Sequence, residues 1–499
     1  MHGRSLSPQG AGLAGYGAPM HQAWTVRTAL LPALAAATVA ATATLSATGG
    51  AALGTASPSS YSPAVTASAP QVAVYPDAIT LRYAPTAAPP TTADCEAAND
   101  LACYTPDQVQ DAYNLPALYA RGATGKGETI MIVDAFGSPT IKADLAAFDE
   151  QFGYPAPPKF TVIAPVGAIP KFNPKNSQMV GWAGETTLDV EYAHALAPGA
   201  NILLVETPAS ETEGVAGFPQ IVAAEEYALS HYKVGVISQS FAATEETFAS
   251  YAQLAPLRAA YTDAESHGVT VLAGTGDAGA TNFEYDGVTY YAHRVSAWPA
   301  TDPLVTAVGG TQLEQNGGGY TSVAWNDTYN QTFTKVWTGS THPSPFASGG
   351  GASEFFARPS YQSGVKAVTG ADRGVPDISM SAACNGAVDV YSSYTTKGWS
   401  LACGTSEATP EFAAVVAIAD QVAGRALGVI NATIYKLYAQ HAAGIVDVTS
   451  GNNTVAFYPK GSKSAVTVTG YPAGQGYDLV TGVGTLNALQ FAYELAGKG

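Results

Sequence analysis

Charged side chains are scarce in this sequence of 499 residues, because Asp, Glu, Lys and Arg together make up only 12% of it. Basic residues are the scarcer kind, with 22 Lys and Arg against 39 Asp and Glu, so the formal net charge is −17. Nucleic acids and anionic membrane surfaces bind clustered Lys and Arg, so the composition argues against both as partners. Sparse ion pairs also suit an acidic medium, since Asp and Glu titrate at roughly 3.9 and 4.3. Ordinary secreted proteins can show the same low charge.

Cysteine is also rare, with four residues in the whole chain. Four cysteines allow three pairings, of which the short-loop choices are Cys95 with Cys103 and Cys384 with Cys403. The second pair would tether the segment just ahead of Ser406. Four free thiols are less expected in an exported protein, and the N-terminal residues predict export.

The N-terminal 94 residues do not resemble a packed domain. Residues 1–48 carry a few basic residues and then an Ala/Thr/Leu/Val run, which predicts a secretory signal peptide. A membrane anchor is the alternative, because the run is nearly long enough to span a bilayer but is only weakly hydrophobic. Residues 49–94 are rich in Ala, Pro, Ser and Thr and predict a flexible spacer or a short pro-segment. The folded domain is expected at 95–499.

Strand-like and helix-like segments alternate from residue 129 onward. Short, continuous apolar runs separated by helical patterns indicate a parallel sheet that is buried on both faces. The prediction is therefore an α/β fold with a mostly parallel central sheet and helices on both faces, and functional groups are expected where strands end. The predicted strands are 129–134, 201–205, 234–238 and 269–274, the predicted helices are 138–152, 183–196, 219–232 and 250–266, and 317–351 is predicted as surface loops.

Ser406 lies between a small-residue turn, Gly404-Thr405, and an apolar helical stretch that Pro410 is expected to open. At a helix N-terminus, free backbone amides and the helix dipole can stabilise a developing oxyanion. Ser406 is therefore a candidate nucleophile. The alternative is that Thr405 or Ser406 is only a helix cap.

Glu185 and Asp189 are a candidate acid–base pair. They are four residues apart on a predicted helix, so their side chains share a face. If they are buried and share a proton, one carboxyl can accept the proton of a serine hydroxyl. A carboxylate remains a base near pH 4, where a histidine is already protonated. If the two side chains are solvated, the pair is an ordinary feature of a surface helix.

Asp277 follows a predicted strand within a glycine-lined turn, Gly274-Thr275-Gly276-Asp277-Ala278-Gly279. A protonated carboxyl at this place can donate a hydrogen bond to a tetrahedral oxyanion. The alternative is a turn aspartate that bonds its own backbone.

In this order, Glu-x-x-x-Asp, Gly-Asp-x-Gly and Gly-Thr-Ser-x-x-x-Pro resemble the motifs of the sedolisins, the serine-carboxyl peptidases with a subtilisin-like fold. The similarity runs from about Tyr104 to the C-terminus. It implies a sedolisin-like peptidase domain at 95–499. It also implies that Ser406 is the nucleophile, Glu185 the general base and acid, Asp189 the residue that orients Glu185, and Asp277 the oxyanion donor.

The same resemblance implies one structural Ca²⁺ ion near the C-terminus. Carboxylates and backbone carbonyls are the hard oxygen ligands that Ca²⁺ prefers. The family pattern assigns the side chains of Asp447 and Asp478 and the carbonyl oxygens of Val448, Gly474 and Gly476.

Several positions depart from the family pattern or extend it. The segment before Cys95 is shorter than the usual folded propeptide, Ala278 replaces a common serine, and Phe241 stands where a tryptophan is frequent. Asp134 ends the first predicted strand, where some relatives place an acidic residue that extends the carboxyl chain.

Two rival interpretations remain. The first is a subtilisin-type triad of Asp134, His194 and Ser406, but His194 is nine residues after Glu185 and therefore lies on the opposite face of the helix. The second is a catalytically silent binding protein with the same fold. The favoured expectation is a secreted, monomeric endopeptidase that acts on proteins or peptides in acid.

Overall fold

The computed structural model describes residues 79–81, for which only the backbone is considered, and residues 88–499. The predicted signal peptide or anchor at 1–48 lies outside the described residues, as does most of the predicted spacer at 49–94. Within that spacer, residues 79–81 form a strand and a helix begins at Thr92. All described residues belong to one compact unit.

The helices are numbered in chain order and joined in places by short 3-10 turns. They are α1 (Thr92–Asn99), α2 (Pro106–Ala112), α3 (Pro116–Tyr119), α4 (Ile141–Phe152), α5 (Ser177–Leu196), α6 (Phe218–His231), α7 (Tyr251–Leu254), α8 (Ala259–His267), α9 (Gln331–Thr338), α10 (Lys366–Thr369), α11 (Thr405–Ala423), α12 (Asn431–Ala439) and α13 (Ala488–Leu495).

The strands follow the same numbering. They are β1 (Ile79–Leu81), β2 (Cys103–Tyr104), β3 (Thr129–Ala135), β4 (Phe160–Ile163), β5 (Asn201–Thr207), β6 (Val236–Gln239), β7 (Ala243–Thr244), β8 (Thr270–Gly274), β9 (Ala297–Trp298), β10 (Val305–Asn316), β11 (Gly319–Ala324), β12 (Gly351–Ala357), β13 (Asp372–Val375), β14 (Ile378–Ser381), β15 (Ala387–Ser392), β16 (Gly398–Cys403), β17 (Ile445–Val446), β18 (Val455–Phe457), β19 (Val466–Val468) and β20 (Thr485–Leu486).

An eight-stranded, mostly parallel sheet organises the domain. Its strand order is β11-β10-β8-β6-β3-β5-β4, and β14 also pairs with β10. Every pair is parallel except β10 with β11. The C-terminal ends of β3, β6 and β8 therefore lie side by side, and the candidate site forms at this edge.

Side chains alternate across the sheet and fill two separate cores. In β3, Ile130 and Ile132 join the core that contains residues of α5 and α11, whereas Met131 and Val133 join the core that contains residues of α6 and α8. A strand that is apolar on both faces requires cover on both faces. The predicted α/β architecture with helices on both sides is therefore confirmed.

Some predicted boundaries are wrong, for identifiable reasons. Helix α5 begins at Ser177, earlier than predicted, because the side chain of Asn176 caps it by accepting from two backbone amides. The predicted helix at 250–266 is interrupted by a 3-10 turn that contains Pro256. The predicted loops at 317–351 contain β11 and α9, and α9 is capped by Asn330 and anchored by the buried Phe333.

Both short-loop disulfides are present, Cys95–Cys103 and Cys384–Cys403. The second joins β16 to the segment after β14, directly before the helix that carries Ser406. Strand β1 pairs antiparallel with β16, with Ile79 opposite Cys403. Among the described residues, no helix is long and apolar enough to cross a membrane.

Candidate active site

Ser406 lies in the first turn of α11 and is 1% exposed. The turn is sharp because Gly404, the residue before the helix, has φ +120°, a backbone conformation that strongly favours glycine. The Gly404 amide donates to the Ala382 carbonyl at 2.7 Å, which fixes the entry of the chain. The predicted position of Ser406 at a helix N-terminus is therefore confirmed, although the helix begins at Thr405 and not at Pro410.

Pro410 is inside the helix and has a specific effect on Ser406. A proline has no amide hydrogen, so the Ser406 carbonyl lacks its usual donor four residues later. The Ser240 hydroxyl lies 3.5 Å from that carbonyl oxygen and 2.8 Å from Asp189 Oδ1. With one proton to give, Ser240 makes its shorter bond to Asp189. It thus connects the acid pair to the backbone of the nucleophile.

Glu185 and Asp189 are both completely buried in α5. Burial raises the pKa of Asp189 well above its ordinary value, and the charges of Asp134 and Glu185 raise it further, while the hydrogen bond from Ser240 opposes the shift. The four-residue spacing has therefore brought two carboxyls together in a dry environment, as required for a shared-proton pair.

Asp134 extends this group by a third carboxyl at the C-terminal end of β3. Burial raises its pKa to about 7, with a further contribution from Glu206, whereas contacts with the Thr186 hydroxyl and with Asp189 lower it. Two ionised carboxylates cannot hydrogen-bond, because neither has a proton to donate. A proton on either Asp134 or Asp189 would relieve the repulsion between them. Glu185, Asp189 and Asp134 thus form one buried acidic group whose charges influence one another.

Asp277 follows β8 and is held against the residue next to the nucleophile. Its Oδ1 accepts from the Thr405 amide at 2.7 Å and from the Thr405 hydroxyl at 2.9 Å. The Thr405 hydroxyl in turn accepts from the Gly276 amide at 3.1 Å. These bonds attach the Asp277 loop to the start of α11 and leave Oδ2 as the oxygen that Thr405 does not contact.

The four predicted site residues are thus assembled from three elements, namely α5, the loop after β8 and the start of α11. Hydrogen bonds join Asp277 to Thr405, beside Ser406, and Ser240 to Asp189, and the Ser240 hydroxyl lies 3.5 Å from the Ser406 carbonyl. Glu185 joins the group through its effect on Asp189. The arrangement provides a hydroxyl, a buried acid–base pair and a candidate oxyanion donor.

His194 lies elsewhere. Its Nε2 is 2.8 Å from the Pro155 carbonyl and 3.3 Å from Asp149 Oδ1, so the ring serves the packing of α5 against α4. In the described part of the chain, no hydrogen bond or ion pair joins it to Asp134 or Ser406. The geometry gives no support to a subtilisin-type triad.

Two residues of the site, Ser240 and the bridging Thr405, are not predicted from the sequence. Ser240 is the first residue beyond β6, and functional groups gather at such strand ends, so this signal could have identified it. From the sequence alone, Thr405 is a candidate helix cap. Its second role depends on the path of the loop after β8, which the sequence does not reveal.

The predicted calcium-binding segments lie side by side. The Gly476 amide donates to Asp447 Oδ2 at 2.9 Å, and the Gly474 amide donates to Asp478 Oδ2 at 3.0 Å. The carbonyls of Val448, Gly474 and Gly476 accept no hydrogen bond from the described residues. Carbonyl and carboxylate oxygens are the ligand type that Ca²⁺ prefers, although Asp478 Oδ1 already accepts from the Val480 and Thr481 amides and the Thr481 hydroxyl.

This donor set contains only two acidic side chains. The part of the chain that is described contains no group of three or more His, Cys, Asp or Glu side chains suited to a metal. Binding of a metal at the C-terminal segments would therefore depend on backbone oxygens.

Comparison with solved structures identifies the class of fold. A Pseudomonas sedolisin, described as a serine-carboxyl proteinase complexed with two molecules of pseudo-iodotyrostatin, matches with a TM-score of 0.62 and 24% sequence identity. The match covers 80% of this chain and 99% of that chain. The predicted subtilisin-like α/β fold is therefore confirmed.

Curated relatives then indicate the family, although no family model matches the chain. Kumamolisin from Bacillus sp. (strain MN-32) is 33% identical over 390 residues, which cover 77% of this chain and 62% of the relative. Tripeptidyl-peptidase 1 from Homo sapiens is 30% identical over 369 residues, which cover 69% of this chain and 56% of the relative. The chain is similar to peptidases of the sedolisin family, and it spans less than two thirds of the length of these relatives.

Proposed function

We propose that the protein is a serine-carboxyl endopeptidase that hydrolyses peptide bonds in protein or peptide substrates. The observation that supports this proposal is that two hydrogen bonds to carboxyls are made beside Ser406. Thr405, the residue before it, donates to Asp277, and Ser240, whose hydroxyl lies 3.5 Å from the Ser406 carbonyl, donates to Asp189. These contacts support the assignment of Asp277 as the oxyanion donor and of Glu185 with Asp189 as the base pair of Ser406.

In the proposed reaction, Glu185 accepts the proton of Ser406 while the hydroxyl oxygen attacks the substrate carbonyl. Asp277 and a backbone amide at the start of α11 stabilise the oxyanion. Glu185 then returns the proton to the leaving amine, and a C–N bond is exchanged for the ester of Ser406. Water repeats the cycle on this ester and releases the acid. Asp189 orients Glu185 throughout.

Acid is the expected working range, because two groups need protons there. Asp277 donates to an oxyanion only while its carboxyl is protonated. Burial and neighbouring charge raise the pKa of Asp189 and of Asp134, so their shared chain retains protons in acid while Glu185 can serve as the base. An imidazole base would be cationic under these conditions.

Export fits the same proposal. Two disulfides favour an oxidising compartment, and the acidic, sparsely charged composition suits a secreted protein that works without nucleic acid or membrane partners. We propose a secreted monomer.

One Ca²⁺ ion would be held by the carboxylates of Asp447 and Asp478 and the carbonyls of Val448, Gly474 and Gly476. Such an ion supplies structural stability by joining two loops that already share the bond from Gly476 to Asp447. Chelation should lower the melting temperature, and Asp447→Asn should abolish the response to added Ca²⁺. An equal melting temperature with chelator and with Ca²⁺ would contradict the site.

The activity is tested by hydrolysis of a denatured protein between about pH 3 and pH 6 with calcium present. Ser406→Ala and Glu185→Gln should each lose nearly all turnover while retaining the circular dichroism spectrum of the parent. Glu150→Gln, an exposed glutamate in α4, is the matched control and should behave like the parent. Activity retained in Glu185→Gln would rule out this base. A folded parent without turnover in this range would favour a silent binding protein.

A further inference from the structure

Two glutamates directly after the nucleophile have no part in the proposed reaction. Glu407 and Glu411 lie one turn apart on α11, and both are completely buried. All four of their carboxylate oxygens lack a hydrogen-bond partner among the described residues. Ionised carboxylates are strongly disfavoured in such surroundings unless a cation or several donors face them.

The residues that the structure describes provide no such compensation for the pair. The charge of Asp277 raises the pKa of Glu407, and the charge of Glu407 raises that of Glu411, in both cases after burial as the largest cause. The Ser381 hydroxyl lies close enough to lower the pKa of Glu407 but forms no hydrogen bond of good geometry. No Lys, Arg or His is among the groups that shift either carboxyl.

Two tyrosines complete the surroundings. Burial raises the pKa of Tyr113 and of Tyr192, and the charges of Glu407 and Glu411 raise both further. Both tyrosines therefore lie near the two glutamates. The Tyr113 oxygen already accepts from the Ser381 amide at 2.7 Å. Side chains four residues apart share a helix face, so the two carboxyls can satisfy one another when at least one carries a proton.

Glu407 and Glu411 lie on the same helix as Ser406, so a change in their charge can affect the candidate active site. Helix α11 packs against α5, which carries Glu185 and Asp189, and against β6, β8, β10 and β14. A displacement of its first two turns would therefore move Ser406 and Thr405 away from their partners.

We propose that Glu407 and Glu411 form a pH-sensitive lock in α11. The lock holds the start of the helix in place while the two carboxyls keep at least one proton between them, and it releases when both ionise. The consequence for turnover rests on the proposed function, whereas the consequence for stability does not.

The direction of the effect follows from proton linkage. The pKa of each glutamate is raised in the folded state above its value in the unfolded chain. The stabilising contribution is therefore fully present below the unfolded value and is lost as the pH rises toward the folded values. The lock is closed in acid and opens toward neutral pH.

The test compares the full-length Ser406→Ala protein, which cannot digest itself under the proposed mechanism, with the same protein carrying Glu407→Gln and Glu411→Gln. Glutamine has the shape of a protonated glutamate but cannot ionise. Urea unfolding is followed by tryptophan fluorescence from about pH 4 to pH 8. The slope of the free energy of unfolding against pH gives the difference in the number of bound protons between the unfolded and folded states. Glu150→Gln, in the same background, is the control for loss of an exposed carboxyl.

We expect similar urea midpoints for the parent and the double variant in acid, and a higher midpoint for the double variant at neutral pH. Its slope should be smaller by about two protons over the steepest part of the range. In active protein, the same substitutions should raise the pH at which pre-incubation destroys acid activity. If the double variant is stabilised at neutral pH and the protein with Ser406 intact and no other substitution shows no turnover, the lock is supported and the peptidase proposal is contradicted.

The proposal is wrong if the double variant and the parent have the same slope, or if Glu150→Gln reproduces the effect. It is also wrong if added Ca²⁺ or Na⁺ stabilises the parent but not the double variant at neutral pH, because the pair would then be a cation site. If the double variant does not fold, each single substitution must remove about one proton from the slope.

Discussion

Thr405 offers the sharpest test of how the oxyanion donor is held. Its hydroxyl donates to Asp277 Oδ1 at 2.9 Å and accepts from the Gly276 amide at 3.1 Å. Valine has nearly the same shape but neither donates nor accepts. Thr405→Val therefore removes both bonds and leaves the backbone bond from residue 405 to Asp277 intact.

The expected loss of stability combines two contributions. A lost side-chain hydrogen bond costs about 1 kcal/mol, and the buried Gly276 amide that remains without a partner costs about 1–3 kcal/mol more. We therefore expect unfolding to become easier by about 2–4 kcal/mol. Because removal of a complete oxyanion donor costs about 10²–10³ in rate, and Asp277 here keeps one anchor, we expect kcat to fall by about tenfold.

Urea unfolding in acid measures the first quantity, and initial rates on a peptide substrate at saturation measure the second. Thr405→Ser is the matched control, since it keeps the hydroxyl and should restore most of both losses. Wild-type stability together with wild-type kcat in Thr405→Val would show that Asp277 does not depend on Thr405.

Three further outcomes are expected. Asp134→Asn should shift the acid limb of the kcat/KM profile to lower pH, because the charge that raises the pKa of Asp189 is removed; an unchanged limb would separate Asp134 from the base pair. Arg373→Met should cost about 3–5 kcal/mol in urea unfolding, because Arg373 makes two bonds to the buried Asp377, and adding Asp377→Asn should recover part of it. Replacing Cys384 and Cys403 by alanine should cost about 3 kcal/mol for a loop of this length; a loss below 1 kcal/mol would contradict the tethering role.

The sheet could be predicted from the sequence because its strands are short, continuous apolar runs. The predicted strands 129–134 and 269–274 agree closely with β3 and β8. Helix α9 escaped prediction because its segment is rich in Thr and Asn, and it depends on a cap from Asn330 and on burial of Phe333. Such tertiary contributions override local composition.

The acidic group around Ser406 was predictable only in part. The four-residue spacing of Glu185 and Asp189 predicts that they act as a pair. A role for Ser240 can be inferred only when β6 is known to lie beside β3. The burial of Glu407 could not be predicted from the sequence. An acidic residue in the first turn of a helix is usually a solvated side chain that interacts favourably with the helix dipole. The complete burial of Glu407 is decided by the elements that pack around α11.

Pro410 has a further consequence for how the nucleophile can be adjusted. Because the proline has no amide hydrogen, the Ser406 carbonyl has no donor within α11, and the Ser240 hydroxyl lies 3.5 Å from it. Ser240 gives its one proton to Asp189 at 2.8 Å. A change in the protonation of Asp189 can therefore redirect this proton toward the backbone of the nucleophile.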